Sequence, residues 1–101
     1  MEIPTYQIHT PKPELIRALK IIIEQKGRIK KKEMAEFAEK ENLITVNARE
    51  ENYTQARFAS LDKNIIQPLV EQWKFVEVEK IGRTRWVKVT QEGKNAAEFL
   101  I

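Results

Sequence analysis

A mainly helical α+β domain is what this 101-residue chain predicts, and three observations carry the prediction. Apolar residues recur at helical spacing in three successive stretches ahead of residue 73. The composition then becomes β-type at Phe75, Val76 and Val78 and again at Trp86, Val87 and Val89, with Gly82 between the two runs. A short segment from Thr90, with Ala96, Ala97, Phe99 and Leu100, closes the chain as a final helix. The length suits one domain that buries a modest core without metal or crosslinks, and 42% hydrophobic with 33% charged residues lies in the globular range.

In chain order, Pro4, Pro11 and Pro13 are three of the four prolines, so residues 1–12 read as an extended arm and residues 13–101 as the folded domain. Tyr6 and Ile8 alternate with polar neighbours, which allows a short strand or an apolar strap across the core. His9 is the only histidine and has no ligand-spaced partner; it reads as a surface residue without a role. Helix one begins near Pro13, where a fixed φ costs no hydrogen bond, and runs to Lys26 before Gly27. Leu15, Ile16, Leu19, Ile22 and Ile23 share its core face. Ala18 and Ile21 lie beyond the edge of that face, as intramolecular packing or as a dimer strip.

Arg28 and Ile29 form a link with room for one or two strand-like pairs. The second helix runs from about Lys31 to Asn42, with Met34, Ala35, Phe37 and Ala38 inward and Glu33, Glu36, Glu39 and Lys40 outward. Residues 43–51 permit two readings, a capping box at Asn47-Ala48-Arg49-Glu50 or a helix start at Asn52 with Gln55. Helix three has Phe58, Leu61, Ile65, Ile66 and Leu69 on its packed edge. Its polar side holds Tyr53, Arg57, Ser60, Asn64 and Gln67, with Lys63 adjacent. Pro68 breaks a backbone bond, so the helix should kink or restart there and continue to about Gln72. Two strands, Trp73–Lys80 and Thr84–Val89, meet at Gly82; Trp73 and Trp86 read as core or hairpin-packing residues.

Charge is clustered. The net charge is only +3, but half of the eighteen basic residues fall between Lys26 and Lys32 or between Lys80 and Lys88, as a polyanion partner requires. The absence of cysteine excludes disulfides, thiolate catalysis and cysteine metal sites, and fits a reducing cytoplasmic compartment. No apolar run reaches the ~18 residues of a membrane span. The glycines form no phosphate-cradling loop, and no serine has a histidine beside it in a recognisable motif, so the chain reads as a non-enzyme without cofactor, metal or evident small-molecule effector.

Helix, link, helix, helix, hairpin and closing helix is the order of a three-helix winged helix-turn-helix with a two-stranded β wing. The segment SLDKNIIQPLVEQWKFVEVEKIGRTRWVKVTQEGK, Ser60 to Lys94, resembles the recognition-helix and wing region of MarR- and PadR-type regulators. There a leucine-rich helix end, a strand, a basic turn and a strand closing on Thr-x-x-Gly recur. In its size and its Lys-, Ile- and Glu-rich composition the chain is similar to small archaeal, archaeal-plasmid or archaeal-virus DNA-binding proteins.

The resemblance implies a transcriptional regulator that binds double-stranded DNA as a homodimer, with helix three in the major groove. Arg57 would then pair with guanine and Asn64 or Gln55 with adenine, while Tyr53, Thr54 and Ser60 meet phosphates, alongside Lys63 and Gln67 on the same side. Arg83, with Lys80 or Arg85, would lie on the backbone or in the minor groove, and Lys30, Lys31 and Lys32 on flanking phosphates. The competing reading is a winged-helix protein adaptor. It predicts that the lysine triplet and Arg83 lie on opposite sides of the molecule, where one duplex cannot touch both.

Overall fold

The structure, a computed structural model, describes residues 3, 9–47 and 49–101. The strand or strap expected at Tyr6 and Ile8 lies outside the described residues, as does Ala48 of the first capping box. The element order is α1 (Pro13–Glu24), β1 (Arg28–Lys30), α2 (Lys31–Lys40), α3 (Tyr53–Leu61), β2 (Val76–Ile81), β3 (Thr84–Val89) and α4 (Gln91–Leu100).

Pro13 opens α1 as expected. Its buried face, however, is Leu15, Ala18, Leu19, Ile21 and Ile22, with Ile16 and Ile23 only half-buried. The helix is rotated from the expected setting because it packs on α4 as well as on the sheet and α2. Ala18 and Ile21 therefore belong to the intramolecular core. Both α1 and α2 end on a left-handed residue, Lys26 (φ 65°) and Asn42 (φ 59°). The amides of Gly27 and Leu43 reach back to the carbonyls of Ile22 and Ala38, closing the orphan carbonyls in Schellman geometry. The chain thus reverses after α1 through two successive left-handed residues, Lys26 and the expected Gly27 (φ 88°).

The link after α1 pairs more fully than its length suggested. Arg28, Ile29 and Lys30 pair antiparallel with Lys88, Val87 and Trp86, so the wing hairpin becomes a three-stranded sheet of order β1-β3-β2. Ile29 is buried against Val87, giving this short strand an apolar reason to dock. The hairpin itself closes with Ile81 opposite Thr84. Gly82 has φ 62° and Arg83 an ordinary negative φ, the setting of a type II′ turn with glycine at its first central position.

After a buried loop residue, Ile44, and a 3-10 turn at Glu50–Asn52, α3 starts at Tyr53. Asn52, the second of the two expected starts, is its N-cap, without a side-chain capping bond. At Pro68 the helix restarts, as expected, with proline in the first turn of a new segment. It widens to π winding over Asp62–Ile66 and Pro68–Gln72, and the amide of Trp73 bonds the carbonyl of Pro68. Proline lacks an N–H and its ring collides with the carbonyl four residues back; wider winding moves that carbonyl aside. Leu61, Ile65, Leu69 and Trp73, spaced by four, are all buried.

The core is a single cluster that includes Leu19, Ile22, Ile29, Met34, Leu61, Ile65, Leu69, Phe75 and Val87. The hairpin is tied to α4 by one junction. Thr90 Oγ1 accepts from the Gly93 amide at 3.1 Å and donates to the Lys74 carbonyl at 2.7 Å, and the Thr90 amide bonds the Phe75 carbonyl. A Cβ on Gly93 would lie 2.1 Å from that Phe75 oxygen, so only glycine permits α4 to sit this close.

Candidate nucleic-acid interface

β3 extends past the end of β1: Trp86 pairs with Lys30, whereas Thr84 and Arg85 have no β1 partner. This open edge faces α3 across a concavity of about 770 Å³ lined by Lys30, Lys31 and Lys32 at the start of α2, by Gln55, Phe58, Ala59 and Asp62 along α3, and by Arg83, Thr84 and Arg85 on the wing. The positions 55, 58, 59 and 62 form one helical face. The lysine triplet and the wing tip therefore meet at one cleft.

The five cations in the cleft are not equivalent. Lys30, Lys32, Arg83 and Arg85 are exposed. Lys31 is not: its side chain is 12% exposed, and its Nζ lies 2.7 Å from Asp62 Oδ1 and over the Phe58 ring. Lys31 was expected on a flanking phosphate; a carboxylate from α3 neutralises it instead and fixes the start of α2 to the third helix. Gln55 is exposed and makes no hydrogen bond to a described residue, so its amide is free for a ligand.

The remaining residues expected to read DNA fall elsewhere. Arg57 points from α3 toward the outer side of α2, where it shares a shallow hollow with Tyr53, Glu36, Glu39 and Lys40. Its Nη1 is 3.7 Å from Glu39, its side chain is 15% exposed, and its buried Nε has no hydrogen-bond partner. An arginine held against an acidic helix is badly placed to meet a guanine edge. Ser60 donates to the Thr45 carbonyl and anchors the α2–α3 loop. Asn64 turns its amide back onto Ser60, and with Lys63 it borders another hollow beside His9 and Lys12. Gln67 donates to Glu71. Thr54 is exposed on α3 outside the cleft lining, and Lys80 sits on the wing opposite Arg85.

Phe58, Ala59, Asp62 and Thr84 also line the cleft, in addition to the residues expected there from the sequence. Phe58, expected on the packed edge of helix three, is half-buried, touching the core while the cations of Lys31 and Arg57 lie over its ring. The sequence signal for the α3 lining is the helical row Gln55, Ala59, Asp62, which carries fewer hydrogen-bond donors than the arginine-bearing row beside it.

Among the described residues no group of three or more metal-ligating side chains occurs, and no helix is long and apolar enough to cross a membrane. A helix, strand, helix, helix, hairpin and closing helix, with a cationic cleft between the third helix and the hairpin tip, define a winged helix domain. The chain belongs to the family of DUF6293 C-terminal winged helix domains, whose model matches residues 14–101. No curated protein and no solved structure matches it.

Proposed function

We propose that this winged helix domain binds double-stranded DNA through the cleft between α3 and the wing, and acts as a sequence-preferring transcriptional regulator. The observation that carries this reading is the meeting of Lys30, Lys32, Gln55, Arg83 and Arg85 at one concavity. The lysine triplet and Arg83 share this cleft instead of lying on opposite sides of the molecule, so one duplex can touch both, which supports the DNA reading over the adaptor. The likeness to MarR and PadR regulators supports the regulatory role.

In this reading the four exposed cations take phosphates, and Gln55 offers its amide to an adenine edge, with Ala59 one turn on as an apolar contact for a thymine methyl. Asp62 holds Lys31 in place and keeps the floor of the cleft from being uniformly positive. The duplex approaches from the wing side, because Glu36 and Glu39 border the other flank of α3.

Gel shifts on random and genomic fragments at several salt concentrations test the proposal. Arg83→Ala should weaken binding to every sequence and lower the slope of log affinity against log salt by about one, whereas Gln55→Ala should cost ~1–3 kcal/mol on the preferred site alone. Binding by neither the parent protein nor the variants would overturn the reading. Equal losses on preferred and random DNA would overturn the division between contacts.

A further inference from the structure

A second surface lies on the side of the sheet turned away from the helices. Val87 and Val89 of β3 are buried, so Thr84, Trp86 and Lys88 stand on the opposite face. The strand register puts Arg28 and Lys30 of β1 on that same face, with Glu77, Glu79 and Ile81 of β2 on its other side. Trp86 is half-buried there rather than in the core. The Arg28 guanidinium carbon lies 4.7 Å from its ring centroid and the Lys30 ammonium 5.6 Å.

Two cations within reach of one indole repel each other. No carboxylate among the described residues pairs with Arg28, Lys30 or Lys88 to relieve this repulsion. A single cation over the ring would satisfy the needs of packing. An indole with two cations over its ring, neither paired with a carboxylate, can exchange one of them for a ligand that is itself flat and anionic, as a nucleotide is, whose phosphate the displaced cation then meets. The surface is also continuous with the cleft, since Lys30 belongs to both and Thr84 and Arg85 immediately precede Trp86 in β3.

We propose that Trp86, with Arg28 and Lys30, is a stacking site for an unpaired nucleotide of a DNA strand that leaves the cleft, so that the domain favours duplexes carrying a single-stranded extension over blunt ones. The inference rests on the DNA reading of the cleft. Glu77 and Glu79, opposite Lys88 and Trp86, repel phosphates from the β2 side and confine the strand to the β1 side. Stacking tolerates any base, so the preference is for the junction and not for the sequence of the tail.

The test compares one duplex, blunt or bearing a short oligothymidine tail, with the parent protein, Trp86→Ala and Trp86→Phe, each shown by thermal melting to be folded. The tail should tighten binding by the parent about tenfold. Phenylalanine should keep most of that gain and alanine lose it, with the blunt duplex bound equally by all three. The tail should also quench tryptophan emission through Trp86, since Trp73 is only 7% exposed. A tail without effect on the parent, or a gain that survives Trp86→Ala, would overturn the inference. Quenching by free oligothymidine without duplex binding would uphold the stacking site and refute the cleft; no response to either DNA would refute both.

Discussion

Lys31 and Asp62 show how a single carboxylate sets what a basic cleft offers. With Asp62 in place, Lys31 is paired and only 12% exposed, so it adds nothing to the cations available for phosphates. Asp62→Asn should therefore raise affinity for random-sequence DNA and steepen the salt dependence by up to about one unit, as one more cation joins the contact. An unchanged salt slope would place Asp62 outside the contact surface. Arg57 makes the converse case. Its guanidinium lies over the Tyr53 and Phe58 rings and meets Glu39, so Arg57→Ala should lower the melting temperature and leave sequence preference intact. A relaxed preference in that variant would mean that the side chain swings out on binding. Burial of this arginine was not legible in the sequence, because a helical row shows which residues share a face but not which neighbouring element covers it.

At the scale of elements, the Thr-x-x-Gly closure has a physical reason: Thr90 joins the start of α4 to the turn before β2, and Gly93 leaves room for the Phe75 carbonyl. Gly93→Ala should cost about 1–3 kcal/mol and lower the melting temperature by several degrees or more. A stability matching the parent protein would mean that α4 shifts aside cheaply. The helices, the hairpin and its glycine turn were all legible from period and turn chemistry. The third strand was not: the three-residue segment Arg28–Lys30 has no period of its own and is defined only by the Val87 it meets. The π winding had left a trace. Leu61, Ile65, Leu69 and Trp73 recur every four residues, a row that drifts by about 40° per step in an ordinary helix and by less as the winding loosens toward about four residues per turn.

For the whole molecule, the count of free cations sets the strength of the polyanion contact. If Lys30, Lys32, Arg83 and Arg85 take about four phosphates as proposed, one domain should bind with a log–log salt slope of roughly −3 to −4. A slope near zero would exclude a phosphate contact of this kind. One cleft with a single free amide reads few base pairs, so specificity calls for two copies on half-sites about 10 base pairs apart or a multiple of that. Light scattering on the protein alone and on DNA checks this, and a monomer in both would end the two-copy reading. The residues that converge at the cleft come from three parts of the chain separated by more than twenty positions. The clustering of charge was visible in the sequence, but its side of the molecule followed only from the docking of β1 on β3.

The four-residue beat of α3 acts as a vernier between its two ends. Gln55 at one end faces the cleft while Trp73 at the other closes the core, and the wide turns between them keep both in phase. Deleting one residue between Asp62 and Gln72 would let the coil tighten and would turn the wing's point of departure around the helix axis relative to Gln55. The loose winding thus holds the angular setting that opposes the two jaws of the cleft.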